Sequence, residues 1–227
     1  MRIITLNLNG IRASLKKGLL DFIKKSDADI LCFQETKAQP GQIDEEPLEK
    51  MGYTLHWHSA EKKGYSGVAI LTRIKPDNVI IGCGIDDYDR EGRLIRADFG
   101  ELSVISAYFP SGTTGTIRQD FKYNFLDDIY EWTHEVSKKR QKLVLSGDYN
   151  ICHRAIDIHN PKSNKNSSGF LPEEREWMEK FFTSGFSDSF RLINEDPHNY
   201  SWWSYRANSR GQNKGWRIDY NAVSDNL

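Results

Sequence analysis

The feature that most constrains this chain is a strand–helix–strand pattern that occurs twice, each time with polar residues at the ends of the strands. Arg2 to Leu8 alternates apolar residues with others and predicts a strand. Ile11 to Lys25 sets Ile11, Leu15, Leu19, Phe22 and Ile23 on one stripe with lysines opposite, which predicts an amphipathic helix. Asp29-Ile30-Leu31-Cys32-Phe33 then predicts a buried strand running into Gln34-Glu35. In the second half, Leu102 to Phe109 predicts a strand ending at Pro110-Ser111-Gly112. Asp120 to Lys139 predicts a long helix with Phe121, Phe125, Ile129, Trp132 and Val136 on one side, and Lys142 to Ser146 a short strand stopping at Gly147-Asp148. Gly67 to Thr72 and Asn78 to Gly82 add two strands around the turn Lys75-Pro76-Asp77. Residues 160–169 form a polar loop. Pro172-Glu173-Glu174 opens a further helix, because proline suits a first turn and acids suit its positive end. Periodicity alone supports the α/β class, and two such units suggest two sheets related by a pseudo-twofold axis with helices outside. No linker or low-complexity tract interrupts residues 1–227, so one domain is expected.

Composition narrows the function. With 38% hydrophobic residues in 227, the chain can bury a sizeable core without staples. Charged residues reach 28% but cancel to a net −1, so any nucleic-acid contact must come from a local basic patch. The three cysteines, Cys32, Cys83 and Cys152, have neither disulfide nor zinc spacing, and Cys32 and Cys152 read as buried thiols. No signal-peptide pattern opens the sequence and no apolar run is long enough to span a bilayer. The expectation is a reducing cytoplasm, without a membrane partner.

The candidate chemistry lies at the strand ends, where Asn7, Glu35, Asp148 with Asn150, and Asp219 stand. Taken singly, an Asn or Asp there is most often a turn residue. Glu35 and Asp148 are stronger candidates, because each follows a buried-type run where an unpaired carboxylate is costly. Neighbouring strand tips converge on one crevice, and hard oxygen ligands gathered there suit Mg²⁺, with Mn²⁺ as the other candidate. No cluster of histidine or cysteine at ligand spacing supports zinc.

Six blocks in order give these residues a context: Asn7-Leu8-Asn9-Gly10-Ile11-Arg12, Gln34-Glu35-Thr36-Lys37, Gly64-Tyr65-Ser66-Gly67-Val68, Ser146-Gly147-Asp148-Tyr149-Asn150, Ser168-Gly169-Phe170-Leu171-Pro172-Glu173-Glu174-Arg175 and Gly215-Trp216-Arg217-Ile218-Asp219-Tyr220. Over nearly the whole chain they resemble the exonuclease III and apurinic/apyrimidinic (AP) endonuclease family of the endonuclease/exonuclease/phosphatase superfamily. The resemblance implies a four-layer α-β-β-α sandwich of two mixed sheets flanked by helices. It also implies a Mg²⁺-dependent DNA phosphodiesterase of base excision repair that incises 5′ to abasic sites, with 3′→5′ exonuclease and 3′-phosphatase activities as companions. Glu35 would be the main metal ligand with Asn7 beside it, and Asp148 and Asn150 close to the ion. Asn9 stands where some relatives carry Asp. Asp148 would orient and deprotonate the attacking water or activate it through the metal. Asn150 would bond the scissile phosphate, Tyr108 would supply a phenol to that phosphate or the leaving group, and Asp219 would orient a catalytic histidine. Arg12, Lys17 and Tyr65 match positions that track the DNA backbone, and Asn164 matches a phosphate contact. Trp202, Trp216 and Ile218 match an apolar pocket for an extruded, baseless deoxyribose. Trp203 reads instead as a core aromatic. The implied partner is double-stranded DNA carrying abasic sites or 3′ ends, bound by a monomer.

One departure stands out. The family carries a Ser-Asp-His block before its last strand, whose histidine leans on the aspartate matched by Asp219. This chain stops at Ser224-Asp225-Asn226-Leu227, too soon after Tyr220 to be that block. Of the six histidines, only His153 and His159 follow a site residue closely. The expectation is a copy truncated at its C-terminus, lacking the family's last strand and incising weakly as written. The alternatives are an abasic-DNA-binding fragment or another phosphoesterase of the superfamily.

Overall fold

The computed structural model describes residues 1–227. In chain order the first half contains β1 (Ile3–Asn7), α1 (Ile11–Lys16), α2 (Leu19–Ser26), β2 (Ile30–Gln34), α3 (Glu46–Lys50), β3 (Thr54–His58) and β4 (Val68–Thr72). The second half contains β5 (Asn78–Ile81), α4 (Asp86–Asp89), β6 (Leu94–Phe99), β7 (Leu102–Tyr108), α5 (Thr116–Lys139), β8 (Lys142–Asp148), α6 (Pro161–Asn164), α7 (Pro172–Phe182), β9 (Phe186–Asp188), β10 (Trp202–Trp203), β11 (Gly215–Trp216) and β12 (Asp219–Ser224).

Two mixed sheets result, one in the order β1-β2-β4-β3 and the other β5-β6-β7-β8-β12-β9. In each, the strand–helix–strand unit seen in the sequence becomes the parallel pair: β1 lies beside β2, and β7 beside β8. This is the geometry a crossover helix imposes. The sheets face one another across an apolar layer containing Ile30, Cys32, Val68, Ile70, Ile95, Val104 and Val144. The outer face of the first sheet packs on α1 and α2 through Ile11, Leu19, Ile23, Leu31 and Phe33. The second packs on α5 and α7 through Phe125, Ile129, Leu145, Trp177 and Phe181. The four-layer α/β sandwich implied by the six blocks is therefore the observed architecture, and β1 ends the four-stranded sheet.

Two expected elements shift. The helix over Ile11–Lys25 is two helices, broken at Gly18, whose φ of 96° lies in the left-handed region that glycine alone enters freely. Its stripe turns with the break, and Phe22 is left exposed. The long helix α5 begins at Thr116, four residues before the expected Asp120. Cys32 and Cys152 are buried as expected, and burial pushes the Cys32 thiol up to about 12.

Candidate active site

The parallel pairs place the polar strand ends together. Along one rung of the larger sheet, Tyr108 pairs with Asp148 and Asp148 with Asp219, on three adjacent strands. In the smaller sheet Asn7 pairs with Gln34, and Glu35 follows directly. The Asn7 amide joins the two sheets, its Nδ2 donating to Glu35 Oε1 and to Asp148 Oδ2, both at 2.8 Å. Below it, the buried Gln34 donates to Ser106 Oγ of the other sheet at 3.0 Å, so the seam is polar for two rungs.

The carboxylates are held by hydrogen bonds, and of the three only Glu35 has a cation beside it, Lys37 Nζ at 2.7 Å. Asp148 is 4% exposed. Its Oδ1 accepts the Asn150 backbone N–H at 2.8 Å. Burial, then the nearby Asp219 charge, raise its proton affinity well above the ordinary aspartate range despite the Asn150 and Asn7 hydrogen bonds. Asp219 Oδ1 is buried with no hydrogen-bond partner, although the residue keeps some exposure. Burial raises the Asp219 carboxyl to about 6, Glu35 adding to the effect and the Ser201 hydroxyl opposing it. The Tyr108 phenol is also raised, first by burial and then by Glu35 and Asp148. Asn150 adopts a left-handed backbone (φ 52°) and donates its side-chain amide to Phe109 O at 3.0 Å.

These groups open onto a cleft of about 1150 Å³ lined by Asn7, Glu35, Asp148, Asn150 and Asp219, and also by Trp202, Trp216 and Ile218. The small β10–β11 ribbon pairs Trp202 with Trp216, their rings edge-to-face at 6.1 Å, while Ile218 and Trp216 pack on Cys152, Ile158 and Phe170. Gly169 lets Trp216 approach, since a Cβ there would sit 3.0 Å from both the indole and Asn150 O. One face of the cleft is thus anionic and oxygen-rich, and another aromatic.

Other expected residues lie elsewhere. Arg12 and Lys17 are exposed on and just after α1. Tyr65 lies outside the cleft, its hydroxyl accepting from Arg118 at 3.2 Å and Arg93 at 3.4 Å. The Asn164 amide is spent locally on the His159 and Asn160 carbonyls, at 3.0 Å each. Trp203 is not a core residue: it lines the cleft half-buried and donates to Asn213 Oδ1 at 3.1 Å, because the segment around it folds as a ribbon over the cleft instead of into the interior. No histidine lines the cleft. His153 turns away to Glu179 at 2.8 Å.

The comparisons with known proteins bear on this geometry. The sequence pattern of the endonuclease/exonuclease/phosphatase family matches residues 4–220. The chain belongs to that family. Within it, the chain is 42% identical to an exodeoxyribonuclease of Bacillus subtilis, over all of this chain and 89% of the relative. It is 41% identical to the DNA repair nuclease APEX1 of Danio rerio, over all of this chain and 74% of that protein. The structure of an AP endonuclease from Archaeoglobus fulgidus superimposes with a TM-score of 0.91 at 30% identity, covering 99% of this chain and 87% of that one. The chain is a hydrolase of the exonuclease III and AP endonuclease type, in a family whose nucleases generally depend on a divalent metal. Reading the sequence alone assigned no role to Lys37, whose ammonium lies on Glu35. Tyr205, one of the aromatics interleaved with basic residues over 198–220, lines the cleft with its hydroxyl 3.5 Å from the Asn9 amide. Lys37 stood inside the quoted Gln34-Glu35-Thr36-Lys37 block, and its spacing from Glu35 was the available signal.

Proposed function

We propose that this chain is a Mg²⁺-dependent phosphodiesterase that incises DNA on the 5′ side of abasic sites, acting as a single domain and as a monomer. The observation that carries the reading is one cleft in which three carboxylates, with a single lysine between them, face an aromatic slot. The donor set fits a hard divalent ion. It offers carboxylate and amide oxygens without thiolate or imidazole, it contains a buried Asp219 oxygen with no partner, and two of its carboxyls are raised by burial and then by like charge. Glu35 and Asn7 would hold the ion, with Asp148 and Asn150 next to it. When bound, it supplies charge neutralisation at the phosphate and the leaving oxygen.

The chain's own residues do the rest. Asp148, fixed by Asn150 N–H on one oxygen and Asn7 on the other, orients the attacking water for in-line displacement. Asn150 and the Tyr108 hydroxyl present donors at the same strand ends for the phosphate oxygens. Trp202, Trp216 and Ile218 take a flipped sugar whose missing base leaves it small enough to enter. Arg12, Lys17, Tyr65 and Asn164, outside the cleft, would serve as backbone contacts. With a net charge of −1, affinity rests on such local groups and weakens with salt.

The test compares an abasic duplex, an intact duplex and a phosphoinositide, each with Mg²⁺ or chelator. Incision confined to the abasic duplex with Mg²⁺ is expected, with Glu35→Ala and Asp148→Asn each lowering it by about 100- to 1000-fold. Activity that survives chelator and both substitutions would refute the reading.

A further inference from the structure

The Lys37 ammonium lies 2.7 Å from Glu35 Oε2 and donates to Asn9 Oδ1 at 2.6 Å. Glu35 is the one carboxylate within ion-pair distance of Lys37, since Asn9 offers a neutral amide. The contact is built into the backbone. Glu35 and Lys37 both adopt the left-handed conformation, with φ of 49° each, which a non-glycine residue enters only under strain. Between and beside them, the Thr36 and Lys37 backbone N–H groups are pinned to Gly67 O at 3.1 Å and Ser66 O at 2.9 Å. Two kinks one residue apart thus bring an anion and a cation to the same edge of the cleft.

We propose that Lys37 competes with the divalent metal for Glu35 and thereby sets the metal affinity of the site. The proposal rests on the metal reading given above. In the metal-free protein the ammonium neutralises Glu35, and with three carboxylates at the cleft this moderates repulsion of DNA phosphates. A divalent ion held by Glu35 would compete with the ammonium for the same negative charge, so Lys37 would be drawn off the carboxylate and would keep Asn9 Oδ1. Part of the metal's binding energy is spent on this displacement, so removing the ammonium tightens metal binding.

Direct metal titration tests this without reference to turnover. Free Mn²⁺ is followed by electron paramagnetic resonance in the full 227-residue protein without DNA. Lys37→Met is expected to lower the Mn²⁺ dissociation constant by about tenfold, with Lys37→Arg close to wild type and Glu35→Gln losing the site. The side chain of Lys37 is 32% exposed, so both substitutions are compatible with folding. In the wild type, Mg²⁺ is expected to move the ¹⁵Nζ resonance of Lys37, and in Glu35→Gln to leave it in place. An unchanged or weaker Mn²⁺ affinity in Lys37→Met, with Glu35→Gln still losing the site, would overturn the proposal. Tightening in Lys37→Arg as large as in Lys37→Met would overturn it too, because arginine keeps the charge. Full Mn²⁺ binding by Glu35→Gln would instead overturn the metal reading itself.

Discussion

Two groups of charges meet near the segment 216–219, one through Arg217 and one through Asp219, and they are handled in opposite ways. On one side, Asp157 and Asp188 meet Arg191 and Arg217. Arg217 Nε is 2.8 Å from Asp157 Oδ1 and its NH2 nitrogen 2.6 Å from Asp188 Oδ2, while Arg191 reaches Asp157 Oδ1 at 2.5 Å. The Arg217 guanidinium also lies 4.4 Å from the Tyr220 ring centroid. Burial would raise the Asp157 carboxyl, but hydrogen bonds from Arg217 and Arg191 outweigh it and hold it below its ordinary value. On the other side, Glu35 and Asp148 share the Asn7 amide, Lys37 reaches Glu35 alone, Asp219 Oδ1 has no partner, and the two aspartates are raised. Equal numbers of forks and carboxylates make a joint, and excess carboxylate makes a site that gains from an incoming cation. The joint also serves the site, since Arg217 anchors the residues that present Trp216 and Ile218 to the cleft.

The sharpest way to break this comparison is to remove one charge from each group and measure incision and stability together. Asp148→Asn is expected to lower incision by roughly 10³-fold, equivalent to about 4 kcal/mol. Urea denaturation is expected to show unchanged or higher stability, because a repelling charge has gone. Arg217→Met should do the reverse to stability and cost about 3–5 kcal/mol, because Asp188 then stays buried without its partner. A loss under about 1 kcal/mol in Arg217→Met would show that the joint is not structural. Lys122→Met sharpens the point within the joint class. Lys122 and Glu174 are both fully buried 2.6 Å apart, and Lys122 donates to Asn150 O at 2.9 Å. The single change should cost about 3 kcal/mol, and Lys122→Met with Glu174→Leu should recover most of it.

The difference between the groups also explains what the sequence disclosed. Glu35 and Asp148 were legible because each follows an apolar run, Asn7, Asn150 and Asp219 because they stand at strand ends, and the two strand–helix–strand units bring the tips of β1, β2, β7 and β8 together. The joint was not legible. Asp157 and Arg217 stand sixty residues apart in sequence, and an isolated Asp or Arg reads as a solvated charge. The break at Gly18 was missed because the apolar stripe runs past it. Strands β9 to β12 were hidden for another reason. They are short or lie among turn-forming Asn, Ser and Gly, and their pairing with β8 and with one another is settled by tertiary contact rather than by local pattern. Lys37 was visible as a letter, but its role depends on two left-handed residues that no periodicity announces.

The smallest expected effect separates the groups most directly, because it predicts pH dependences of opposite sign. The Asp219 carboxyl is raised from 3.8 to about 6 in the folded protein. As pH rises from about 4 to 6, the unfolded chain releases this proton before the folded one does, so stability falls through that window and stays lower above it. Asp219→Asn cannot ionise. In chelator its stability should match wild type near pH 4 and exceed it above pH 6 by on the order of 1–2 kcal/mol, after allowance for the partial exposure of the residue. Asp157 is lowered, so its contribution is present above its unfolded value of 3.8 and is lost as pH falls through the folded one. Asp157→Asn should therefore be costly at pH 7 and progressively less so toward acid pH. Urea midpoints for both variants at pH 4.5 and 7.5 check the pair. If Asp219→Asn proved destabilising at pH 7.5, that carboxylate would be a structural partner like Asp157, and the division between joint and site would fail at this residue.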